Sequence, residues 1–408
     1  MRKSIAIIIT SILVLSGCNK QQSVSDRLLN EVEKAIAINP DSASNLLKGI
    51  SSPEKLDNKT FARWCMLSGK ITDEIFNSIL PTYQLERAYD WYSSHGSPDE
   101  QVQILIYLGR SYFADGDYDK AMSIYTNALD IAEKNKLNNL TGYTYSYIGD
   151  LYGEKFMRTE AIKRYKAAAE CFKKENNTDS YACALRDVGR EYACIDSLSR
   201  ALKILTIADS VARNTKNIEV TASIDNALGN IYAMQNKYDK AEEYFLKALV
   251  GRETMPDYMA LIDLYIASGA INKAQELLSK ILQDNPKYTY SIKYLYYQIY
   301  NEEKNYKEAL TNLKEYVEIT DSIIYADNQS KILNIESKYN HLKISKEVDR
   351  LKIKQQSYII VLVICIGILL LIIIGYLLYR KKAKEKIQRQ QEELNRIKTD
   401  LLLSLIHI

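Results

Sequence analysis

Residues able to do chemistry are few in this chain of 408 residues. It holds three His (His95, His341 and His407), too few and too scattered for a His-based metal centre or acid–base site. There is no Walker-type phosphate loop, no Gly-x-Ser-x-Gly elbow, no His-Glu-x-x-His pair and no dinucleotide fingerprint. An enzyme is therefore not expected, nor a cofactor or a metal. Cysteine is the remaining reactive type, with six residues. Cys183 and Cys194 fall in one expected helix, eleven residues and roughly 16 Å apart, which is too far to bridge. Cys171, late in one helical unit, and Cys183, early in the next, would approach across an antiparallel turn. Two readings stay open there: a disulfide, in an oxidising compartment, or small buried residues filling tight contacts.

The elements that must position any such residue are helical. Gly (15) and Pro (6) together make about 5% of the chain, against roughly 12% in an average protein. So few chain-breakers leave little room for the hairpins of a sandwich, barrel or propeller, or for the Gly-rich loops of a doubly wound α/β enzyme. An all-α fold is expected. Lys plus Arg is 54 against 51 Asp plus Glu, a net charge of +3, so no overall basic character points to nucleic acid. The aromatic content is skewed, with 32 Tyr beside 6 Phe and 2 Trp.

The two ends carry membrane signals. Arg2 and Lys3 precede an apolar stretch from Ile5 to Leu15, the layout of an export signal. Its close, Leu15-Ser16-Gly17-Cys18, resembles a lipoprotein signal box, which implies that residues 1–18 are a signal peptide and Cys18 the lipid attachment site; the alternative is an ordinary export signal with an incidental Cys. Tyr358 to Tyr379 form 22 consecutive uncharged residues, roughly 33 Å as a helix and enough for a bilayer core of about 30 Å. Cys365 lies in mid-span as a small apolar residue. Tyr358, Tyr376 and Tyr379 sit at the ends as interfacial anchors, and Arg380, Lys381, Lys382, Lys384 and Lys386 follow. With the export signal, this predicts a single-pass inner-membrane protein, with residues 19–357 periplasmic and 380–408 cytoplasmic.

Between the ends the chain repeats itself. The marks Leu108, Gly109, Tyr112, Ala121, Tyr125 and Ala128 recur 40 residues on as Ile148, Gly149, Tyr152, Ala161, Tyr165 and Ala168. Val188, Gly189, Tyr192, Ala201, Leu205 and Ala208 follow, then Leu228, Gly229, Tyr232, Ala241, Phe245 and Ala248. Two weaker copies carry Tyr265, Ala274, Leu278 and Pro286, and Tyr300, Ala309 and Leu313. The pattern resembles the tetratricopeptide repeat, two antiparallel helices per unit, with Gly-Asp-Tyr-Asp-Lys-Ala at 116–121 and Asn-Lys-Tyr-Asp-Lys-Ala at 236–241 matching its turn and second-helix start. The resemblance implies an α-solenoid of helical hairpins over 102–317, preceded by degenerate repeats over 19–101. The family's usual unit is shorter, so either the helices or the links between units are extended. The repeated Tyr are expected as packing rather than as a ligand box.

That resemblance also implies where a ligand would lie. Tetratricopeptide arrays bind peptides or partner helices along the face lined by each first helix, and the groove positions map to Arg110, Asp150, Arg186, Arg190, Asn226 and Asn230. Arg and Asn there could clasp a carboxylate or a peptide backbone, or form a solvated polar face. The layout, with Asn39-Pro40-Asp41-Ser42-Ala43 reading as a helix stop, cap and restart, resembles a family of Bacteroidetes envelope repeat proteins, some ending in a cytoplasmic helix-turn-helix domain. Residues 318–357 form a stalk helix with a heptad seam of Tyr325, Asn328, Ile332, Ile335, Tyr339 and Leu342, and Ile387, Gln390, Leu394, Ile397 and Leu401 repeat the spacing. A homodimer through these helices and single amphipathic helices both fit. The end from Leu401 to Ile408 resembles adapter read-through more than a native tail, so a truncated frame is expected, with a short native tail as the alternative. Three functions follow: a membrane-anchored binder of a protein or peptide partner, a transmembrane signal transducer whose output domain is missing, or a passive envelope scaffold.

Overall fold

The computed structural model describes residues 25–75, 79–284 and 289–406. The signal with Cys18, Pro286 and His407 lie outside the described residues, as do the side chains of Asn328, Ile332, Ile335, Tyr339, Leu342 and Leu401. Among the described residues there is no strand. Helix α1 covers 25–36, then come α2 (Pro40–Lys48), α3 (Asn58–Ile75), α4 (Thr82–His95), α5 (Pro98–Ala114) and α6 (Tyr118–Lys134). They are followed by α7 (Asn138–Glu154), α8 (Arg158–Lys174), α9 (Thr178–Cys194), α10 (Leu198–Ala212) and α11 (Ile218–Met234). The chain continues through α12 (Tyr238–Gly251), α13 (Met255–Ala267), α14 (Ile271–Asp284), α15 (Thr289–Glu302) and α16 (Tyr306–Ile406). The chain divides into two units, after Lys331.

In the first unit the helices pair as hairpins from α3 onward, and their lengths explain the period. Helices α5 to α9 are each 17 residues long, separated by three-residue links, so two helices and two links make the 40-residue unit. The extra residues therefore lengthen the helices rather than the links. Past α11 the helices shorten to 14 residues in α12 and 13 in α13, and the repeat Tyr come closer together.

Each first helix ends in the same way, and the repeated Tyr is the residue that ends it. The backbone N–H five residues on donates to the carbonyl of Tyr112, Tyr152, Tyr192, Tyr232, Tyr265 and Tyr300, at 2.7 to 2.9 Å. This six-to-one closure needs a left-handed residue just before the donor. Gly116 (φ 78°) and Gly269 (φ 76°) supply it without strain. Elsewhere Phe156, Asp196, Asn236 and Lys304 adopt φ of 57° to 60°, at roughly 1–2 kcal/mol each. At the front of the array, Asn39 caps α2 by accepting from Ser42 N–H at 2.9 Å, and Pro40 opens the helix.

The hairpins close on small-to-large contacts. A Cβ on Gly109 would lie 2.2 Å from the Tyr125 ring, and one on Gly149 2.6 Å from Tyr165. Gly189 meets Leu205 and Gly229 meets Phe245 at the same 2.6 Å. Ala121, Ala161, Ala201, Ala241 and Ala274 are wholly buried beside them. Burying a large side chain this way stabilises by about 1.5–3 kcal/mol. The repeated Tyr also tie neighbouring units together. Tyr112 donates to Glu86 of α4, Tyr192 accepts from Lys166 of α8 at 2.8 Å, and Tyr265 donates to Glu242 of α12 at 2.9 Å. Tyr306, which opens α16, is 65% exposed.

The second unit, from Ile332, is helical through Ile406. Its stretch Ile353–Asp400 is long and apolar enough to cross a membrane. Every side chain from Tyr358 to Tyr379 is exposed, a surface that hydrocarbon solvates and water does not.

Candidate functional site

Neighbouring first helices touch one another, α5 on α7, α9 on α11 and α11 on α13. The six groove positions predicted from the repeat register lie on α5, α7, α9 and α11. They do not form one site.

At the front, Arg110 of α5 is locked. Its guanidinium pairs with Asp73 of α3 and lies 5.9 Å from the Tyr107 ring and 5.5 Å from the Tyr147 ring. On α7, Asp150 accepts from the Tyr165 hydroxyl at 2.6 Å. Asp150 is an exposed residue, yet desolvation by the protein packed around its carboxyl pushes it up to about 6. Asp187 raises it further, while the Tyr165 hydrogen bond, Arg186 and Arg190 oppose the shift.

The other four residues converge. Arg186, Arg190, Asn226 and Asn230 line one cavity of about 430 Å³ between α9, α11 and the α12–α13 link. Arg186 gives Nε and Nη2 to Asp187 at 3.0 and 3.1 Å and Nη1 to Ser223 Oγ at 3.0 Å. Its neighbour Arg190 is 66% exposed and touches Asp187 only at 3.8 Å. Asn226 donates to Asp257 at 2.8 Å, and Asn230 donates to the Asn226 carbonyl and Oδ1, both at 3.0 Å.

The register missed three residues that shape this cavity: Ser223, Arg252 and Asp257. Asp257 is wholly buried and accepts from Arg252 Nε and Nη2, both at 2.9 Å, from Asn226, and from the Thr254 hydroxyl. A buried carboxylate so paired is held in one geometry, and it fixes Arg252 in turn. The available signal was the shortened spacing between Tyr232 and Tyr265, because Arg252 to Asp257 lie where the 40-residue period breaks.

Cys171 and Cys183 are free thiols. Their helices are the ones expected, with Cys171 late in α8 and Cys183 early in α9, and Cys183 Sγ receives Arg186 Nη1 at 3.9 Å. Cys194, exposed at the end of α9, lines the cavity beside Arg190. No group of His, Cys, Asp and Glu able to hold a metal is found among the described residues.

Residues 100–174 and 221–255 each match a family model for the tetratricopeptide repeat. No curated protein sequence matches the chain. Among solved structures, a Rap protein complexed with Competence and Sporulation Factor is 18% identical, over 75% of this chain and 88% of its own, at a TM-score of 0.57. A tetratricopeptide repeat protein from Parabacteroides merdae is 16% identical, over 63% of this chain and 93% of its own, at 0.46. NprR in complex with its cognate peptide NprX is 16% identical, over 70% of this chain and 88% of its own, at 0.44. At these identities the likeness to Rap is one of fold.

Proposed function

Because this chain is a tetratricopeptide repeat protein, we propose that it is a membrane-anchored binder of a protein or peptide partner, with the array in the periplasm and the α9–α11 cavity as its binding site. The repeat supports partner binding in general, and the Rap structure of like fold was solved with Competence and Sporulation Factor. The single observation that carries the reading is the cavity itself, which gathers Arg190, Asn226 and Asn230 beside the apolar Ile231 and Met234. Such a mixture of orienting polar groups and apolar wall is what ligand sites are made of. No catalysis is part of the proposal.

A photoreactive amino acid at Met234, in the full-length membrane-embedded chain, tests it. It should yield a discrete crosslinked partner that disappears with Arg190→Ala, whereas the same group at the exposed Val250 of α12 should not. Equal labelling from both positions would overturn the site. For anchoring, Cys18→Ala should stay in carbonate-washed membranes through residues 358–379, and its release into the soluble fraction would refute the membrane span.

A further inference from the structure

We propose that the helix beyond the membrane span pairs with the same segment of a second copy of this chain, parallel and in register, through Ile387, Gln390, Leu394 and Ile397. This rests on the reading of residues 358–379 as a membrane span and is independent of the cavity. After the span, α16 carries Ile387, Leu394 and Ile397 on one stripe, each 55–61% exposed. Around them Gln388, Arg389, Glu392, Asn395 and Arg396 make the outward heptad positions polar. A stripe that narrow on an otherwise polar helix is the seam of a two-helix coil, not the broader face of a core helix.

The charges beside the seam select a second copy. Glu393 precedes Leu394 at a g position and Lys398 follows Ile397 at an e position. In a parallel pair the Glu393 of each copy therefore meets the Lys398 of the other. Gln390 stands at a d position, where it faces its own counterpart, and the two amides satisfy each other only in register. The span itself sets both copies parallel and confines them to one plane, so a short seam suffices. No Gly or Pro lies between Tyr376 and Ile406, so nothing in this stretch favours a bend that would lay the seam on the bilayer.

The seam before the span does not serve the same partner. Steps of seven from Tyr339 reach Lys381 and Gln388, one residue out of step with Ile387. The two seams thus lie at least about 100° apart around the helix, whether the span is straight or supercoiled. The first seam also sets Lys338 at g with Lys343 at e, a like-charge pair, where the second has Glu393 with Lys398. Pairing after the span turns the stalk seam away from the partner.

Disulfide crosslinking in isolated membranes tests the pairing, with the full-length chain carrying Cys194→Ala and Cys365→Ala to remove its exposed thiols. Under copper phenanthroline, Ile397→Cys should give a product of twice the chain's mass. It should form at least about fivefold faster than from Glu392→Cys on the outer face or Ile335→Cys in the stalk seam. Glu393→Lys should slow it about fivefold, and adding Lys398→Glu should restore it, because the pair is rebuilt with its signs exchanged. Failure of that reversal to restore the rate overturns the parallel register. Equal rates from Ile397→Cys and Glu392→Cys mean random collision, and a faster Ile335→Cys places the interface before the span; either overturns the proposal. So does a product of another mass, which means a different protein covers the seam, or a monomeric Ile397→Cys shielded from a water-soluble maleimide, which means the bilayer does. A chain that leaves carbonate-washed membranes removes the span as well, whereas a membrane-retained monomer removes the dimer alone.

Discussion

Arg110 and Arg190 occupy the same place in their repeats, one residue after the contact glycines Gly109 and Gly189, yet they meet different fates. The first is 19% exposed, paired with Asp73 and set between tyrosine rings, whereas the second is 66% exposed with one long contact to Asp187. Repeat register fixes where a side chain points. The neighbouring units decide whether it is free. At the front of the groove α3 brings a carboxylate that saturates Arg110; towards the far end the nearest carboxylate, Asp187, is engaged by Arg186 first.

The largest effects should show that the two ends share one scaffold. Tyr125→Ala and Phe245→Ala empty equivalent, fully buried places and should each cost about 3–5 kcal/mol in urea unfolding. A clear inequality between them would break the equivalence on which the comparison rests. The next effect separates the ends. Arg110→Ala should cost about 1 kcal/mol of stability through the lost ion pair and ring contacts and leave the Met234 crosslink intact. Arg190→Ala should leave stability within about 0.5 kcal/mol and lose the crosslink. Exchange of these two phenotypes would place the site at the front of the groove.

The smallest effect is a pH dependence. Desolvation pushes the Asp150 carboxyl up to about 6, beside Tyr165, Asp187, Arg186 and Arg190. This carboxyl takes up a proton more readily in the folded chain than in the unfolded one, so its charge opposes folding above about pH 6 and that opposition is relieved as pH falls through it. Stability in urea should therefore gain a small contribution from about pH 7.5 to 5.5, and Asp150→Asn should remove it. A slope unchanged in the variant would assign the dependence to another group.

Much of this was readable from residue types alone. The Gly, Tyr and Ala marks located the hairpins because each does a recurrent physical job: the Gly admits a ring, the Tyr carbonyl closes the helix, and the Ala lets two helices touch. Which part of the unit held the extra residues was not readable, because most of the left-handed turn positions carry Phe156, Asp196, Asn236 and Lys304 where a Gly would have marked the helix end. In the groove, Arg186, Arg190, Asn226 and Asn230 were reached by register. Asp73, which removes Arg110 from the site, and Arg252 with Asp257, which complete it, sit outside the marked repeat positions and become neighbours only through folding.

The three-residue links have a kinetic consequence. Every hairpin can close on contacts made within its own unit, so folding need not wait for distant segments to meet, and it can begin in any unit and spread to the next. Melting would run the same way in reverse, from the ends inward. The α9–α11 cavity is several hairpins from the front of the array but stands close to the shortened helices behind it. Fraying that starts at α15 would reach the Arg252–Asp257 clasp before it reached Arg110, so hydrogen exchange at the cavity should report the health of the rear hairpins.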